Sequence, residues 1–406
     1  MQRRADTFEV AERLAALPHR IHEVVDRYAA ETPDGLALAE GSMIWSYREL
    51  HQRIQQIAIV LTSLGIRPGD RMMIVSENSV ALAGLLLAAS RIDAWAIVAN
   101  SRLSPRELDQ IRDHSTARRV FFTVAVSKEA ASHAARYDAK VGEIGPLKDI
   151  AVSALHDDVI AERVEVSGRM QVAVLIYTSG TTGTPKGVML SHENLLFSAH
   201  STALLRKMDA NDRVYLVLPM SHIVGTSVFI MTLMSGGMVR LVSKYDPAAL
   251  TAAIAEGNVT ILNGVPAIYQ KLIEYKANAG IPEFRRGSLR LISVAGAPLD
   301  IALKSRVEQE LGLPLLNGYG ITECAPGISG VRLDAPRGDE SVGMLLPGVE
   351  ARMIGRDGKE VGEGEIGELH VRGPNVMLGY YLSLGRTHGE CHRRGGMVQH
   401  RRSCAF

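Results

Sequence analysis

A charge of one sign is what this chain lacks first: 45 Lys and Arg stand against 44 Asp and Glu, a net +1. That balance gives no support for nucleic acid as a main partner, because phosphate backbones are gripped by a clear excess of cations. Long apolar runs are missing too. No stretch reaches the roughly 18 residues that a membrane-spanning helix needs, and the best candidate, Val80 to Ala89, reads as a buried helix. The N-terminus carries Arg3 and Arg4 with no apolar run behind them, so it does not read as a secretion signal. Three cysteines, Cys324, Cys391 and Cys404, supply neither a disulfide framework nor metal-ligand spacing. A reduced, cytoplasmic setting is the expectation.

What is present is an alternation of strand and helix patterns. Tyr47 to Gly65 carries Leu50, Ile54, Ile57, Leu61 and Leu64 at helical steps and stops at a glycine. Ser104-Pro-Arg-Glu107 has a capping Ser, Pro at the first helical position and Glu three residues after the cap. Short apolar strands are expected at Met72–Ser76, Ala94–Ala99, Val120–Thr123, Val172–Tyr177, Val214–Leu218, Val239–Val242, Val259–Leu262 and Leu291–Val294. Helix-length segments separate most of them, which predicts an α/β protein of mostly parallel sheets covered by helices. From about 340 glycines punctuate short apolar runs such as Gly367–Arg372, the texture of a small antiparallel sheet or barrel.

The most informative segment runs from Tyr177 to Met189 and contains Thr178-Ser179-Gly180-Thr181-Thr182-Gly183-Thr184-Pro185-Lys186-Gly187. Gly180 and Gly183 allow tight turns and close backbone approach. The hydroxyls of Thr178, Ser179, Thr181, Thr182 and Thr184 and the charge of Lys186 suit a polyphosphate. It is not the common P-loop, since Pro185 precedes the lysine and Gly187 follows it.

This loop resembles the phosphate-binding signature of the adenylate-forming superfamily, which includes acyl-CoA synthetases, luciferases and peptide-synthetase adenylation domains. The likeness extends over roughly residues 20–381. Ser46–Leu50, Pro219–His222, Gly296-Ala297-Pro298, Gly318–Glu323, Gly367–Leu369 and Gly379–Tyr381 follow in the family's order. It implies two helix-covered sheets and a small β-barrel, divided as 20–170, 171–335 with the phosphate loop, and 336–381. It also implies ATP, Mg²⁺ and coenzyme A as the small molecules engaged, with a carboxylic acid as substrate. Carried over residue by residue, Tyr319 stacks on adenine between Gly318 and Gly320, Thr322 meets the α-phosphate, and Glu323 holds Mg²⁺ together with Thr178. Gly296-Ala297-Pro298 lines the adenine and acyl sites, and His222 stands between the acyl and nucleotide sites.

Ile223 to Met234 contains no charged residue. An amino-acid substrate would need a carboxylate nearby for its ammonium group, so a fatty, branched or aryl acid is expected. Gly264-Val265-Pro266 and Tyr269 are read as lining the same pocket.

The likeness stops at Tyr381. Residues 382–406 hold five Arg, three His and two Cys with little apolar periodicity, and they read as a disordered basic tail. The family continues with a Trp-Phe-x-Thr-Gly-Asp run, whose Asp grips the ribose, and then with a lid domain. Shifted by one nucleotide, the codons of Met397 and Val398 force a Trp, and permitted neighbouring codons spell that run. The expectation is a frameshift between about 382 and 392 and a chain cut short before the lid. Three readings therefore stand at this point: an acid–thiol ligase impaired in this chain, a non-catalytic nucleotide- or acyl-binding remnant of one, or an oxygen-dependent luciferase-like enzyme, which shares every motif.

Overall fold

The computed structural model describes residues 10–178, 185–362 and 364–381, and the backbone of 398–405. Helix α1 (Glu23–Glu31) leads into the hairpin β1 (Leu36–Glu40) and β2 (Met43–Ser46). Helix α2 (Tyr47–Ser63) is closed at its start by a reciprocal Ser46–Glu49 capping box, and it buries Leu50, Ile54, Ile57 and Leu61 as their spacing predicts. β3 (Arg71–Ser76), the fully buried helix α3 (Val80–Arg91), β4 (Trp95–Asn100), α4 (Pro105–Ser115) and β5 (Arg119–Thr123) follow. The Ser104–Glu107 capping box and Pro105 start α4 as expected. Next come α5 (Lys128–Arg136), β6 (Lys140–Ile144), β7 (Leu147–Val152), β8 (Val172–Thr178), β9 (Lys186–Ser191) and α6 (His192–Leu205).

The second half runs β10 (Arg213–Leu216), α7 (Ile223–Met234), β11 (Met238–Leu241), α8 (Pro247–Ala255), β12 (Ile261–Gly264), α9 (Pro266–Asn278), β13 (Leu291–Val294), α10 (Ile301–Leu311) and β14 (Leu315–Gly320). A 3₁₀ turn at Thr322–Cys324 separates β14 from β15 (Gly327–Gly330), and β16 (Met344–Leu345), β17 (Glu350–Ile354), β18 (Ile366–Arg372), β19 (Gly379–Tyr381) and β20 (Val398–Ala405) complete the order.

Two large sheets result, with strand orders β19-β9-β8-β4-β3-β5-β7-β6 and β16-β15-β14-β13-β12-β10-β11-β1-β2. Each is parallel at its centre and antiparallel at its edges. Parallel strands joined by helices need cover on both faces, and a continuous core supplies it. That core includes Ile74 and Val174 of one sheet with Val214, Leu262 and Leu291 of the other.

The sheets do not follow the chain divisions read from the sequence. β8 and β9, which flank the phosphate loop, pair into the first sheet with β4 rather than opening the second. Conversely β1 and β2 cross over to pair with β11. After 345 the described residues make a three-stranded antiparallel sheet, β17-β18-β20. Residues 398–405 thus lie as a strand along β18, where the sequence suggested a tail without structure. The rest of 382–406 falls outside the described residues. No helix among the described residues is long and apolar enough to cross a membrane.

Candidate active site

β8 and β9 form an antiparallel pair whose last rung is Thr178 against Lys186. The loop Ser179, Gly180, Thr181, Thr182, Gly183 and Thr184 joins these ends and lies outside the described residues. Its anchors are fixed. Thr178 is half-buried, and Lys186 is exposed with no ion pair among the described residues. The ammonium nitrogen Lys186 Nζ sits 5.3 Å from the centre of the Tyr380 ring, where the ring quadrupole attracts a cation. On its other side the Tyr380 hydroxyl donates to Glu323 Oε1 at 2.8 Å.

The 3₁₀ turn carrying Thr322 and Glu323 packs against β9, and Met377 N–H donates to the Glu323 carbonyl at 2.8 Å. β19 then pairs with β9, Tyr380 opposite Val188 and Tyr381 opposite Gly187. A cation, a phenol and a carboxylate therefore stand in a row at the open end of the hairpin. Cys324, next to Glu323, is fully buried, and burial pushes its thiol well above the usual range. It is inert as a nucleophile.

Beside this row lies a cleft of about 750 Å³, its open mouth included. α7 lines it with Val224, Ser227, Val228 and Met231, one face of the helix. Thr226 and Thr232 do not enter it. They donate to the carbonyls of Met220 and Val228, at 2.6 and 2.8 Å. The β14–β15 hairpin adds Gly318, Tyr319, Gly320 and Ser329, and Gly296 follows from the end of β13. Two glycines are required by close approach. A Cβ on Gly320 would stand 2.1 Å from the Pro326 carbonyl oxygen, and one on Gly225 2.2 Å from that of Pro219.

The structure thus brings Thr178, Lys186, Thr322 and Glu323 to one end, and Gly296, Gly318, Tyr319 and Gly320 to the adjoining cleft. Ala297 and Pro298 are exposed and do not line it, and His222 is exposed at the start of α7 without a capping bond. Gly264 lines the cleft, but Val265 and Pro266 do not. Tyr269, read as a pocket residue, is a core residue whose hydroxyl donates to the Leu262 and Ser293 carbonyls at 3.0 and 2.8 Å.

Two elements of the site escaped the sequence. Tyr380 was visible only as part of a landmark, and its bridging position depends on β19 pairing with β9. Arg206 lines the cleft from the end of α6. Its environment pushes the guanidinium down to about 10 by desolvation, which leaves it charged at neutral pH. No local motif signals it, because its partner Asn263 is 57 residues away.

Residues 25–381 match the family described as AMP-binding enzyme. A feruloyl-CoA synthase of Amycolatopsis sp is 33% identical over 362 residues, covering 87% of this chain and 70% of that protein. A 2-succinylbenzoate–CoA ligase of Geobacillus kaustophilus is 30% identical over 354 residues, covering 86% of this chain and 68% of the relative. Among solved structures, ATP-bound MatB from Rhodopseudomonas palustris superposes with a TM-score of 0.77 at 29% identity, over 93% of this chain and 75% of that one.

Proposed function

The chain belongs to the AMP-binding enzyme family, and from that premise we propose how its own residues activate a carboxylic acid with ATP. In the family reaction an oxygen of the acid attacks the α-phosphorus of ATP, pyrophosphate leaves, and the thiol of coenzyme A then displaces AMP to give the thioester. This is an acid–thiol ligase that uses ATP, Mg²⁺ and coenzyme A.

The observation that carries the assignment of roles is the row Lys186–Tyr380–Glu323 at the open end of the β8–β9 hairpin. Lys186 is free to neutralise phosphate charge, and the hydroxyl-rich loop it ends wraps the triphosphate. Glu323 offers the hard oxygen that Mg²⁺ takes along with phosphate oxygens, and Thr178 stands at the other root of the loop as a second oxygen donor. Bound there, the ion would neutralise charge building on the departing pyrophosphate. Thr322 is assigned to the α-phosphate, and Tyr319, Gly296, Gly318 and Gly320 to adenine. Ala297 and Pro298 continue that turn at its rim, and His222 guards the passage at the start of α7. No side-chain nucleophile is needed, so the chain's task is to align two bound reactants and to shield charge.

The acid lies along α7, whose cleft face offers Ser227 and no carboxylate, so an ammonium-bearing substrate is disfavoured. An aryl acid is supported by the relatives named for feruloyl and 2-succinylbenzoate substrates. A reaction drawing on ATP and coenzyme A fits a cytoplasmic setting.

The test is acid-dependent release of pyrophosphate from Mg²⁺-ATP across a panel of aryl, branched and fatty acids. Release that depends on an aryl acid is expected. The absence of both ATP binding and acid-dependent pyrophosphate release would refute the reading.

A further inference from the structure

The cleft is apolar along α7 but charged at its inner end. Arg206 directly follows α6, and a guanidinium brings five N–H donors and no acceptor. Among the described residues its side chain makes one hydrogen bond, from Nη1 to Asn263 Oδ1 at 2.5 Å, and no ion pair. That bond fixes the orientation of Asn263, because only an oxygen can face the guanidinium. Ser293 Oγ donates to the same oxygen at 2.7 Å.

The other end of that amide, Asn263 Nδ2, is left buried with no partner among the described residues, and so is Ser329 Oγ. Asn263 and Ser329 are only 4% and 5% exposed, and both line the cleft with Arg206. Leaving a buried donor unmet costs on the order of 1–3 kcal/mol, more beside a charge. Several unmet donors converging on one cavity are best explained by an acceptor that arrives with a ligand.

Sheet register sets how far this cluster lies from the chemistry. Ser293 is level with Asn263 on β12 and with Leu316 on β14. Leu316 is four residues before Gly320, the end of β14 that leads to Thr322 and Glu323. At about 3.3 Å per residue, roughly 13 Å separates the two ends. Ser329 is opposite Tyr319, one residue before Gly320, and so stands near the reacting end rather than with Arg206.

We propose that Arg206, with Asn263, binds a second oxygen acceptor at the far end of the acid. The substrate is then a carboxylic acid with a distal carboxylate or phenolic oxygen on the order of 10 Å from the carboxyl that is activated. A carboxylate would take two parallel bonds from the guanidinium, and a phenolic oxygen one bond plus the amide. A plain alkyl chain leaves the guanidinium and the amide unmet, so this narrows the fatty-or-aryl expectation to acids with a polar end. The proposal rests on the acid-activation reading above.

The test uses three 3-arylpropenoic acids alike except at the para position: hydroxyl, carboxyl or methyl. Binding is measured by calorimetry with Mg²⁺ and a non-hydrolysable ATP analogue, and pyrophosphate release is followed with ATP. At least one oxygen-ended acid is expected to bind tenfold or more tightly than the methyl one, and which of the two wins identifies the acceptor. Arg206→Met should bring that ratio close to one, and Arg206→Lys should retain part of it for the carboxyl acid, with circular dichroism confirming the fold. A methyl acid that binds the unmodified protein as tightly as both others overturns the proposal, whatever the variants do. Absence of pyrophosphate release with the binding preference intact would count against activation alone.

Discussion

At the residue scale, the Lys186–Tyr380–Glu323 row makes separable predictions. Lys186→Met removes the cation that faces the triphosphate, and we expect pyrophosphate release to fall by about 10²-fold or more, in the range seen when a single electrostatic contact to the transition state is lost. Tyr380→Phe keeps the ring beneath Lys186 and removes the bond to Glu323. Its loss should be about tenfold, with the Mg²⁺ requirement shifted to higher concentration. Titrating activity against Mg²⁺ for both variants checks this. A Tyr380→Phe enzyme with unchanged Mg²⁺ dependence would place the phenol outside the metal's surroundings. Lys186 and Glu323 were legible because each sits in a short run of glycine and hydroxyl residues whose chemistry is local. Arg206 and Asn263 were not, since nothing along the chain announces that two distant residues will meet across a cleft.

At the scale of elements, α6 begins at a residue that makes stability depend on pH. His192 is fully buried at its first position, and its Nδ1 accepts the Ile21 N–H at 3.2 Å, so the neutral ring carries its proton on Nε2. That Nε2 has no partner among the described residues. Burial, with Arg20 and His22 nearby, holds its pKa well below the ordinary 6.5. The unfolded chain therefore takes up a proton near pH 6.5 that the folded chain refuses. Stability is whole above that pH and is lost as the pH falls below it, by up to about 1.4 kcal/mol per pH unit. Thermal unfolding followed between pH 7.5 and 5 should show a falling midpoint, and His192→Asn should flatten the part of the slope due to this residue. An equal slope in the variant would assign the acid sensitivity elsewhere. Elements with caps and regular periodicity, such as α2 and α4, were readable for the same local reason as the motifs. The allocation of strands was not. β8 and β9 are consecutive in the chain yet join the earlier sheet, while β1 and β2 join the later one, because partner choice is settled by long-range burial rather than by chain order.

For the molecule as a whole, ligand binding should appear as added stability. Mg²⁺-ATP at a hundredfold excess over its Kd is expected to stabilise the folded chain by about 2.7 kcal/mol. The rise in melting temperature should shrink when EDTA removes the metal and shrink again in Lys186→Met. A melting temperature indifferent to Mg²⁺-ATP would contradict the nucleotide assignment.

The segment from 373 to 381 ties the site together. Asn375 Nδ2 donates to the Gly327 carbonyl at 2.7 Å, Asn194 Nδ2 to those of Pro374 and Val376 at 2.7 and 3.0 Å, and β19 closes along β9. During synthesis, then, β8, β9 and the 3₁₀ turn leave the ribosome long before the strand that aligns them. A nascent chain halted short of Gly379 would have its lysine and glutamate but no phenol between them, so the nucleotide end of the enzyme matures only when one of its last described strands emerges.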